Sequence, residues 1–270
     1  MKEIKFWKMS GAGNDFIIIN NIDNSYNNFP FKKYISKLCK RGLSIGADGV
    51  VIIKQSKVAD IAWEFYNSDG SIAEMCGNAA RCVSKFAYLN NITSKRLTIE
   101  TLSGIINSEV IDDYTIKTEL PPPKMLKLDY KITLDDKDIA ISSINTGVPH
   151  VIIFEENIEN VDLINLGRSI RYNSLFKPRG TNVNICEIVD ENTIKIRTYE
   201  RGVENETLAC GTGALACAII SSHKFTKYPI TVLTKGGTSL IVLKNNGKYY
   251  IQAEARIVCK GKFNHEAYTY

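Results

Sequence analysis

The stretch Asn67–Ser84 reads NSDGSIAEMCGNAARCVS and predicts a turn followed directly by a helix. Its first residues are turn formers, and a helical pattern runs from Cys76 to about Leu89. Cys76 therefore lies at or near a helix N-terminus and is followed by Gly77 and Asn78. The backbone N–H groups and the dipole at such an end favour negative charge, so they would bind a carboxylate and lower the pKa of a thiol.

The second half of the chain repeats this junction. The segment Glu206–Gly213 reads ETLACGTG, and the small apolar run Ala214–Ser222 follows it, so Cys210 also opens a helix. Each helix has a second cysteine further along, Cys82 in one and Cys217 in the other. Two Cys-Gly helix starts in one chain suggest two thiols that face one small anionic ligand.

The order of predicted elements repeats as well. Each half contains strands, then one Cys-Gly helix, then a meander of strands, with a period of about 130 residues. Further helices are predicted at Phe29–Arg41 and Val161–Tyr172. Strand-rich halves with one central helix each predict an α+β protein. The three prolines Pro121–Pro123 cannot lie in a central strand, so we place a domain boundary there, with lobes at residues 1–120 and 121–259.

Composition indicates a folded protein without a nucleic-acid or membrane partner. Hydrophobic residues make up 44% of the 270 residues, and the net charge of +5 is scattered without a basic block. The N-terminal segment MKEIKFWKMS lacks the apolar run of a signal peptide, and the run Ala214–Ile220 is too short to cross a bilayer. We therefore expect a cytoplasmic protein that acts on a small molecule.

The cysteines divide into two groups. There are seven, without a Cys-x-x-Cys pair, which argues against a disulfide framework and a structural zinc site, so we predict no metal. Apolar patterns predict core positions for five of them: Cys39, Cys82, Cys186, Cys217 and Cys259. Cys76 and Cys210 do not fit a core pattern, because each lies at a loop–helix junction beside glycine and small polar residues.

A glycine-rich loop near the N-terminus, Ser10–Asp15, lies between two predicted strands. Such a loop could hold phosphate, but it lacks the Gly-Lys-Ser/Thr ending and leads into a strand rather than a helix. We interpret it as a tight loop that presents Asn14 or Asp15.

Two thiols that face one ligand would allow the inversion of a stereocentre. A base on one face removes the α-proton and an acid on the other face returns one, and a thiol with a tunable pKa suits both tasks. The α-proton of an amino acid is weakly acidic, so the two helix N-termini would stabilise the charge that builds on the carboxylate. Glu200 and Arg201, just before Cys210, could hold an ammonium and a carboxylate, or could form a surface pair.

Six segments together resemble the diaminopimelate epimerase family, in order and across nearly the whole chain: FWKMSGAGNDF, GADG, FYNSDGSIAEMCGNAARC, TGVPH, GTNVN and YERGVENETLACGTG. These isomerases of lysine and cell-wall synthesis interconvert LL- and meso-diaminopimelate without pyridoxal phosphate, another cofactor or a metal, and they commonly form homodimers. The resemblance implies two pseudo-symmetric lobes, each a barrel-like sheet around a central helix, with the active site between them. A segment of about residues 260–270 would return to the first lobe.

The resemblance also implies a role for each site residue. Cys76 and Cys210 would be the alternating base and acid, Glu200 would hold the reacting ammonium, and His150 would support the site. The reacting carboxylate would bind four residues at the helix starts: Gly77, Asn78, Gly211 and Thr212. The distal, non-reacting end of the substrate would bind Asn14, Asn67, Asn182 and Arg201.

Two positions depart from the family pattern. Gly49 stands where the family often has Gln, and Val148 stands where it often has Asn, and both bear on contacts with the distal end of the substrate. One alternative is therefore a two-thiol racemase or epimerase of another amino acid on the same fold. A second alternative is an amino-acid-binding or redox-sensing protein in which Cys76 and Cys210 form a switch.

Overall fold

The computed structural model describes residues 3–134 and 137–270, and the chain divides into two compact units. Met1–Glu119 together with Ala253–Tyr270 form the first unit, and Leu120–Gln252 form the second. Strands dominate both units, and each unit has two α-helices among its described residues. This architecture confirms the predicted α+β class.

The first unit opens with a hairpin and then alternates strands with two helices. Ala12 and Gly13, at the tip of the hairpin, have φ of 50° and 92°, which is the backbone of a two-residue hairpin turn. The elements of the unit are β1 (Ile4–Gly11), β2 (Asn14–Asn20), α1 (Phe31–Leu38), β3 (Gly49–Lys54), β4 (Ile61–Asn67), α2 (Gly77–Leu89), β5 (Arg96–Thr101), β6 (Gly104–Val110) and β7 (Thr115–Glu119).

The second unit has the same order of elements apart from two additional strands, one at its start and one just before its second helix. Short 3-10 turns at Ile158–Asn160 and Ser174–Phe176 flank its first helix. Its elements are β8 (Lys124–Leu134), β9 (Lys137–Asn145), β10 (Pro149–Phe154), α3 (Leu163–Arg171), β11 (Asn182–Asp190), β12 (Thr193–Glu200), β13 (Asn205–Thr207), α4 (Gly211–Ser221), β14 (Ile230–Thr234), β15 (Ser239–Asn245) and β16 (Lys248–Glu254). The last strand, β17 (Arg256–Phe263), and a 3-10 turn at His265–Tyr268 belong to the first unit.

Strand pairing follows one scheme in both units. In the first unit β1–β2 and β3–β4 are antiparallel, β2–β3 and β4–β5 are parallel, and β5, β6 and β7 form an antiparallel meander. In the second unit β9–β10, β10–β11, β11–β12 and β12–β14 repeat these directions, and β14, β15 and β16 form the meander. β17 pairs with β1 as β8 pairs with β9. The two halves share one topology, as the repeated order of elements predicts.

α2 and α4 are the central helices of their units. α2 contacts β1, β2, β3, β6 and β7, and α4 contacts six strands between β9 and β15. Most of each helix is buried, from Asn78 to Ala87 in α2 and from Gly213 to Ser221 in α4. α4 consists of small and apolar residues, and a helix that is apolar on all sides is a buried helix. α2 also buries polar and charged side chains, among them Asn78, Arg81 and Lys85. The surrounding strands therefore fix the position of whatever lies at the start of each helix.

α1 and α3 pack elsewhere on their units and are shorter than the sequence predicts. α1 begins after Pro30 and buries Phe31, Ile35 and Leu38, while α3 begins after Asp162, whose side chain accepts a hydrogen bond of 3.2 Å from the Asn165 N–H. The predicted helices Phe29–Arg41 and Val161–Tyr172 are too long by a few residues at each end. Proline restricts the residue before it to extended backbone, which sets the start of α1 later than the apolar pattern indicates.

The sequence did not predict β8 and β17, and it assigned Cys259 wrongly. Both strands are largely exposed. β17 lacks a regular alternation of apolar and polar residues, whereas β8 alternates from Leu126 to Leu134, a strand signal that the prediction missed. Cys259 was predicted in the core, but it is exposed on β17, opposite Lys8 of β1. The other four predicted core cysteines are buried, at Cys39, Cys82, Cys186 and Cys217.

Candidate active site

Cys76 immediately precedes α2 and has extended backbone, with φ of −147° and ψ of 122°. Its carbonyl accepts the first hydrogen bond of the helix, from the Ala80 N–H at 2.9 Å. The N–H groups of Gly77 and Asn78 come before the first bond of the helical ladder, so they are donors for an anion. The structure therefore places the Cys76 thiol beside the positive end of a helix, as the sequence predicts.

A chain of side-chain hydrogen bonds supports the start of α2. The Asn78 Nδ2 group donates to Asn14 Oδ1 at 2.6 Å, and Asn14 Nδ2 donates to Asp48 Oδ2 at 3.1 Å. Asp48 and Asp15 both bind the Arg41 guanidinium. This arrangement orients the amide of Asn14, one of the predicted substrate-binding residues, and connects it to the start of α2.

Asn67, another predicted substrate-binding residue, is exposed at the end of β4. Its backbone N–H donates to Ser71 O at 2.9 Å, and its side-chain Nδ2 donates to Ser71 Oγ at 2.9 Å. Gly49 pairs with Asn67 on one side and with Phe16 on the other. The structure therefore brings Asn67 to the same edge of the sheet as Asn14, which precedes Phe16 by two residues.

Arg81 lies within α2 and is fully buried, with 0% of its surface exposed. Its Nη2 donates to Asn78 Oδ1, but its Nε and Nη1 have no hydrogen-bond partner among the residues that the structure describes. Arginine keeps its positive charge in proteins, so α2 carries a buried cation one turn from its start.

Cys210 immediately precedes α4 in the same way, with φ of −126° and ψ of 109°. The Ala214 N–H donates to its carbonyl at 2.8 Å, so the N–H groups of Gly211 and Thr212 come before the helical ladder. The Cys210 Sγ lies 3.5 Å from Thr212 Oγ1, within hydrogen-bond distance for sulfur. Cys210 is buried and Cys76 is half-buried.

His150 is buried at the start of β10 and contacts Thr212. Its Nε2 lies 3.0 Å from Thr212 Oγ1, and its Nδ1 lies 3.1 Å from the Asn184 Nδ2 group. The same Nδ2 group donates to the Val151 carbonyl at 3.0 Å, which fixes the orientation of the amide. Nδ1 is therefore an acceptor, and the neutral ring carries its proton on Nε2, facing Thr212.

The environment of His150 keeps it uncharged. Burial, and then the positive charge of Arg201, lower the pKa of His150 from 6.5 to about 3. At neutral pH the ring therefore acts as a hydrogen-bond donor to Thr212 and not as a cation. The structure thus links His150, Thr212 and Cys210 through hydrogen-bond contacts.

Two further predicted residues, Asn182 and Arg201, lie near His150, and Glu200 immediately precedes Arg201 in the chain. Asn182 is buried, and its Oδ1 accepts a hydrogen bond of 2.7 Å from the Arg201 backbone N–H. Its Nδ2 lies 3.4 Å from His150 Nε2, a contact between two donors and not a hydrogen bond when the proton is on Nε2. Glu200 ends β12 and, like Arg201, is half-buried.

The second cysteine of each helix is unsuited to acid–base chemistry. Burial raises the pKa of Cys82 to about 12. Burial, and then the neighbouring Cys186, raise the pKa of Cys217 well above its usual value. Both groups therefore stay thiols at neutral pH, which leaves Cys76 and Cys210 as the reactive candidates at the helix starts.

The described residues contain neither a candidate metal-ion cluster nor a candidate membrane-spanning helix. Among residues 3–134 and 137–270, no cluster of three or more His, Cys, Asp or Glu side chains could hold a metal ion. In the same part of the chain, no helix is both long enough and apolar enough to cross a membrane.

The comparison with known sequences assigns the family. The sequence model of the family described as diaminopimelate epimerase matches residues 6–126 and 142–258. The diaminopimelate epimerase of Aquifex aeolicus (strain VF5) is 41% identical over 280 residues, which cover 99% of this chain and 100% of the relative. This chain belongs to the diaminopimelate epimerase family. The diaminopimelate epimerase of Archaeoglobus fulgidus is 39% identical over 267 residues, which cover 94% of each chain.

Solved structures of other proteins share the fold of this diaminopimelate epimerase family member. A phenazine biosynthesis protein of the PhzF family from Bacillus anthracis superposes with a TM-score of 0.71 at 15% identity, covering 98% of this chain and 100% of that chain. A hydroxyproline epimerase from Agrobacterium vitis gives 0.69 at 13% identity, covering 97% and 91%. Membership of the diaminopimelate epimerase family makes the chain an isomerase.

Two residues near the helix starts, Asn184 and Arg81, were not predicted from the sequence as parts of the site. Asn184 is fully buried and binds His150, although only Asn182 was singled out in the same segment. Arg81 is the other. Both left a signal in the sequence, because a polar side chain within an otherwise apolar strand or helix needs a specific partner when it is buried.

Proposed function

We propose that the chain interconverts LL- and meso-diaminopimelate by proton transfer at the α-carbon, with Cys76 and Cys210 as alternating base and acid. One observation carries the proposal. Each of the two duplicated central helices begins directly after a cysteine with extended backbone, and in each the following N–H groups precede the helical ladder. A thiol and an anion-binding site therefore occur together twice in one chain.

The proposed reaction is balanced without a cofactor. The thiolate of one cysteine takes the α-proton and becomes a thiol, while the thiol of the other gives a proton to the opposite face of the same carbon and becomes a thiolate. Negative charge builds on the substrate carboxylate between these transfers. The N–H groups of Gly77, Asn78, Gly211 and Thr212 are fixed donors for that charge, and fixed donors need little reorganisation.

The remaining site residues would bind the rest of the substrate. We assign Glu200 to the reacting ammonium, since a carboxylate pairs with that charge. The distal amino-acid end would bind Asn14, Asn67, Asn182 and Arg201. His150 would support the site indirectly, because it contacts Thr212, which in turn contacts Cys210.

Several properties follow from the family assignment as proposals. The enzyme would act in the cytoplasm without pyridoxal phosphate, in the synthesis of lysine and of peptidoglycan precursors. It would form a homodimer, which sedimentation of the purified protein would test. The lobe boundary predicted between residues 120 and 121 would be tested by limited proteolysis, which cuts at exposed connections.

Proton exchange with solvent tests the proposed reaction. The protein is incubated with LL-diaminopimelate in deuterated water, and the α-proton signal is followed by NMR. We expect the signal to disappear as meso-diaminopimelate forms. If the protein exchanges the α-proton of another amino acid but leaves diaminopimelate unchanged, the substrate assignment is wrong.

Cysteine variants test the mechanism. Cys76→Ala and Cys210→Ala should each abolish epimerisation, because each removes one of the two proton-transfer groups, while circular dichroism shows an unchanged fold. Cys259→Ala is the matched control, since Cys259 is exposed on β17 and should tolerate the change. Near-wild-type turnover by either of the first two variants would contradict the two-thiol mechanism.

A further inference from the structure

The two Cys-Gly helix starts differ in charge at one position. Counted from the cysteine, the fifth residue is Arg81 in α2 and Leu215 in α4, and both are fully buried. The two helices occupy equivalent positions in their units, so the duplication provides an internal comparison. One helix carries a buried cation near its cysteine, and the other carries an apolar side chain at the same place.

The Arg81 guanidinium needs an anion. Its Nη2 binds Asn78 Oδ1, but Nε and Nη1 have no partner among the described residues. Leaving a buried charge without a counter-charge is costly, and buried charges in proteins are normally paired. Three groups lie near enough for their charge to act on the guanidinium: Cys82, Cys76 and Glu254.

Two of these three groups are poor counter-ions. Burial raises the pKa of Cys82 to about 12, so it is an uncharged thiol at neutral pH. Glu254 already has a partner, because its Oε2 lies 2.6 Å from Arg256 Nη2, and 29% of its side chain is exposed. Lys85, on the same helix, donates to the Ala255 carbonyl at 2.8 Å and adds only positive charge. Cys76 is the remaining candidate.

The groups on the other side of α2 do not change this conclusion. Asp15 and Asp48 are occupied by the Arg41 guanidinium, at 2.5 Å and 3.0 Å from Nη2. Asp48 is connected to the start of the helix through the neutral amides of Asn14 and Asn78, and Asp15 also pairs with Lys8 at 3.1 Å.

The surroundings of Cys210 are different. Its Sγ contacts the Thr212 hydroxyl, which in turn contacts the uncharged ring of His150. Cys217, further along α4, stays a thiol because burial raises its pKa. Arg201, which precedes the helix in the chain, is half-buried and has Glu200 as its neighbour in sequence. A hydroxyl group stabilises a thiolate less than a buried, unscreened cation does.

We propose that the two thiols are unequal before substrate binds: Arg81 holds Cys76 as the thiolate, and Cys210 rests as the thiol. This inference rests on the proposed function, in which the same two cysteines exchange base and acid roles. Arg81 is then a positioning residue that acts through Cys76. The resting enzyme is prepared for the stereoisomer whose α-hydrogen faces Cys76, and each turnover in that direction leaves the thiolate on Cys210.

Alkylation of the substrate-free protein tests this inference. Iodoacetamide reacts with thiolates, so peptide mass spectrometry after brief exposure at a series of pH values gives a titration midpoint for each cysteine. In the wild-type protein we expect the midpoint of Cys76 to lie about 1–3 pH units below that of Cys210, the usual effect of a close opposite charge. Equal midpoints, or a lower midpoint for Cys210, would overturn the inference.

Two variants test the part that Arg81 plays. Arg81→Leu reproduces the residue of α4 and should raise the Cys76 midpoint by at least about one pH unit, without moving that of Cys210. Arg81→Lys keeps a positive charge, so the Cys76 midpoint should stay close to its wild-type value. An unshifted Cys76 midpoint in a folded Arg81→Leu protein would contradict the role of Arg81. If that variant does not fold, the wild-type comparison and Arg81→Lys still decide.

The experiment separates this inference from the proposed function, because no substrate is present. A protein that alkylates in the expected order but does not exchange the α-proton of diaminopimelate would refute the proposed function alone. If the protein is an active epimerase but Cys76 and Cys210 have equal alkylation midpoints, only the inference about Arg81 and the resting thiolate is refuted.

Discussion

The Nε2 atom of His150 lies 3.0 Å from Oγ1 of Thr212, although the two residues are 62 positions apart in the chain. Thr212 contacts Cys210 in turn, so a buried, neutral histidine is connected to a thiol through a single hydroxyl group. A hydroxyl both donates and accepts, so it can adjust to the thiol and the thiolate form of its neighbour.

The first prediction concerns this hydroxyl. Thr212→Val keeps the shape of the side chain and the backbone N–H but removes the hydroxyl, and a hydrogen bond to a charged group contributes about 1.5–3 kcal/mol. We expect kcat for diaminopimelate epimerisation to fall by about 10–100-fold with little change in KM, because binding uses the retained backbone N–H. Thr212→Ser keeps the hydroxyl and should stay near wild type. Equal kcat values for the Val and Ser variants would show that the hydroxyl does not contribute.

The second prediction concerns Gly213, where two effects oppose each other. Gly→Ala within a helix usually stabilises by about 1 kcal/mol. A Cβ at Gly213, however, would lie 2.5 Å from Asn184 Oδ1, and Asn184 is held by His150, Val151 and Thr198. We expect the clash to prevail, because overpacking costs about 1–3 kcal/mol, so Gly213→Ala should lower the urea midpoint of unfolding.

A double mutant provides the control for Gly213→Ala. Asn184→Ala removes the atom that the new methyl group would meet, so the combined variant should lose less stability than the sum of the two single changes. Additive losses would mean that the clash with Asn184 is not the cause.

The sequence alone predicted those features that depend on short stretches of neighbouring residues. Cys76 and Cys210 were placed at helix starts because a turn, a Cys-Gly pair and a helical pattern follow one another within a few residues. The α+β class followed from the same kind of signal. Exposed strands such as β17 gave no comparable pattern, since the alternation that marks a strand comes from burial of one face.

The contacts around the helix starts could not be predicted, because they depend on strand register. His150 meets Asn184 only because β10 and β11 are parallel and pair His150 with Asn182, the residue two before Asn184. The burial of Arg81 likewise depends on the strands that surround α2. A sequence shows that an arginine lies in a helix, but it does not show which face the rest of the chain covers.

The third prediction is a pH dependence of stability. Burial lowers the pKa of His150 to about 3 in the folded protein, whereas an unfolded chain has a histidine pKa of 6.5. Below about pH 6.5 the unfolded state therefore binds a proton that the folded state does not, and stability falls as the pH decreases toward 3. For this one histidine, the free energy of unfolding decreases by at most about 1.4 kcal/mol per pH unit.

Other groups also titrate in this range, so the test compares variants. The difference in unfolding free energy between wild type and His150→Gln should be largest near neutral pH and should shrink on acidification. His223→Gln is the control, because it removes an exposed histidine instead of a buried one. If the difference in unfolding free energy between wild type and His150→Gln does not change with pH, His150 is not a buried histidine that stays neutral.

The last prediction concerns the two departures from the family pattern, which the structure treats differently. A Cβ at Gly49 would lie 2.6 Å from the Tyr66 carbonyl oxygen, so glycine at this position is required by the packing of β3 on β4. Val148 is half-buried in the β9–β10 turn, and only its carbonyl is used there, as acceptor for the Thr146 N–H at 3.2 Å. Gly49→Ala should therefore destabilise the protein, and Val148→Asn should not.

Val148→Asn then tests the substrate assignment. An Asn side chain could add a hydrogen bond to the charged distal end of diaminopimelate, which contributes about 1.5–3 kcal/mol when it is well formed. We expect KM for diaminopimelate to stay the same or to decrease by up to about 100-fold, with little change in kcat and a melting temperature within a few degrees of wild type. A strongly lowered melting temperature would show that Val148 is needed for packing of the turn. A KM that rises in a stably folded variant would show that the apolar side chain serves binding, which would favour a substrate without a charged distal end.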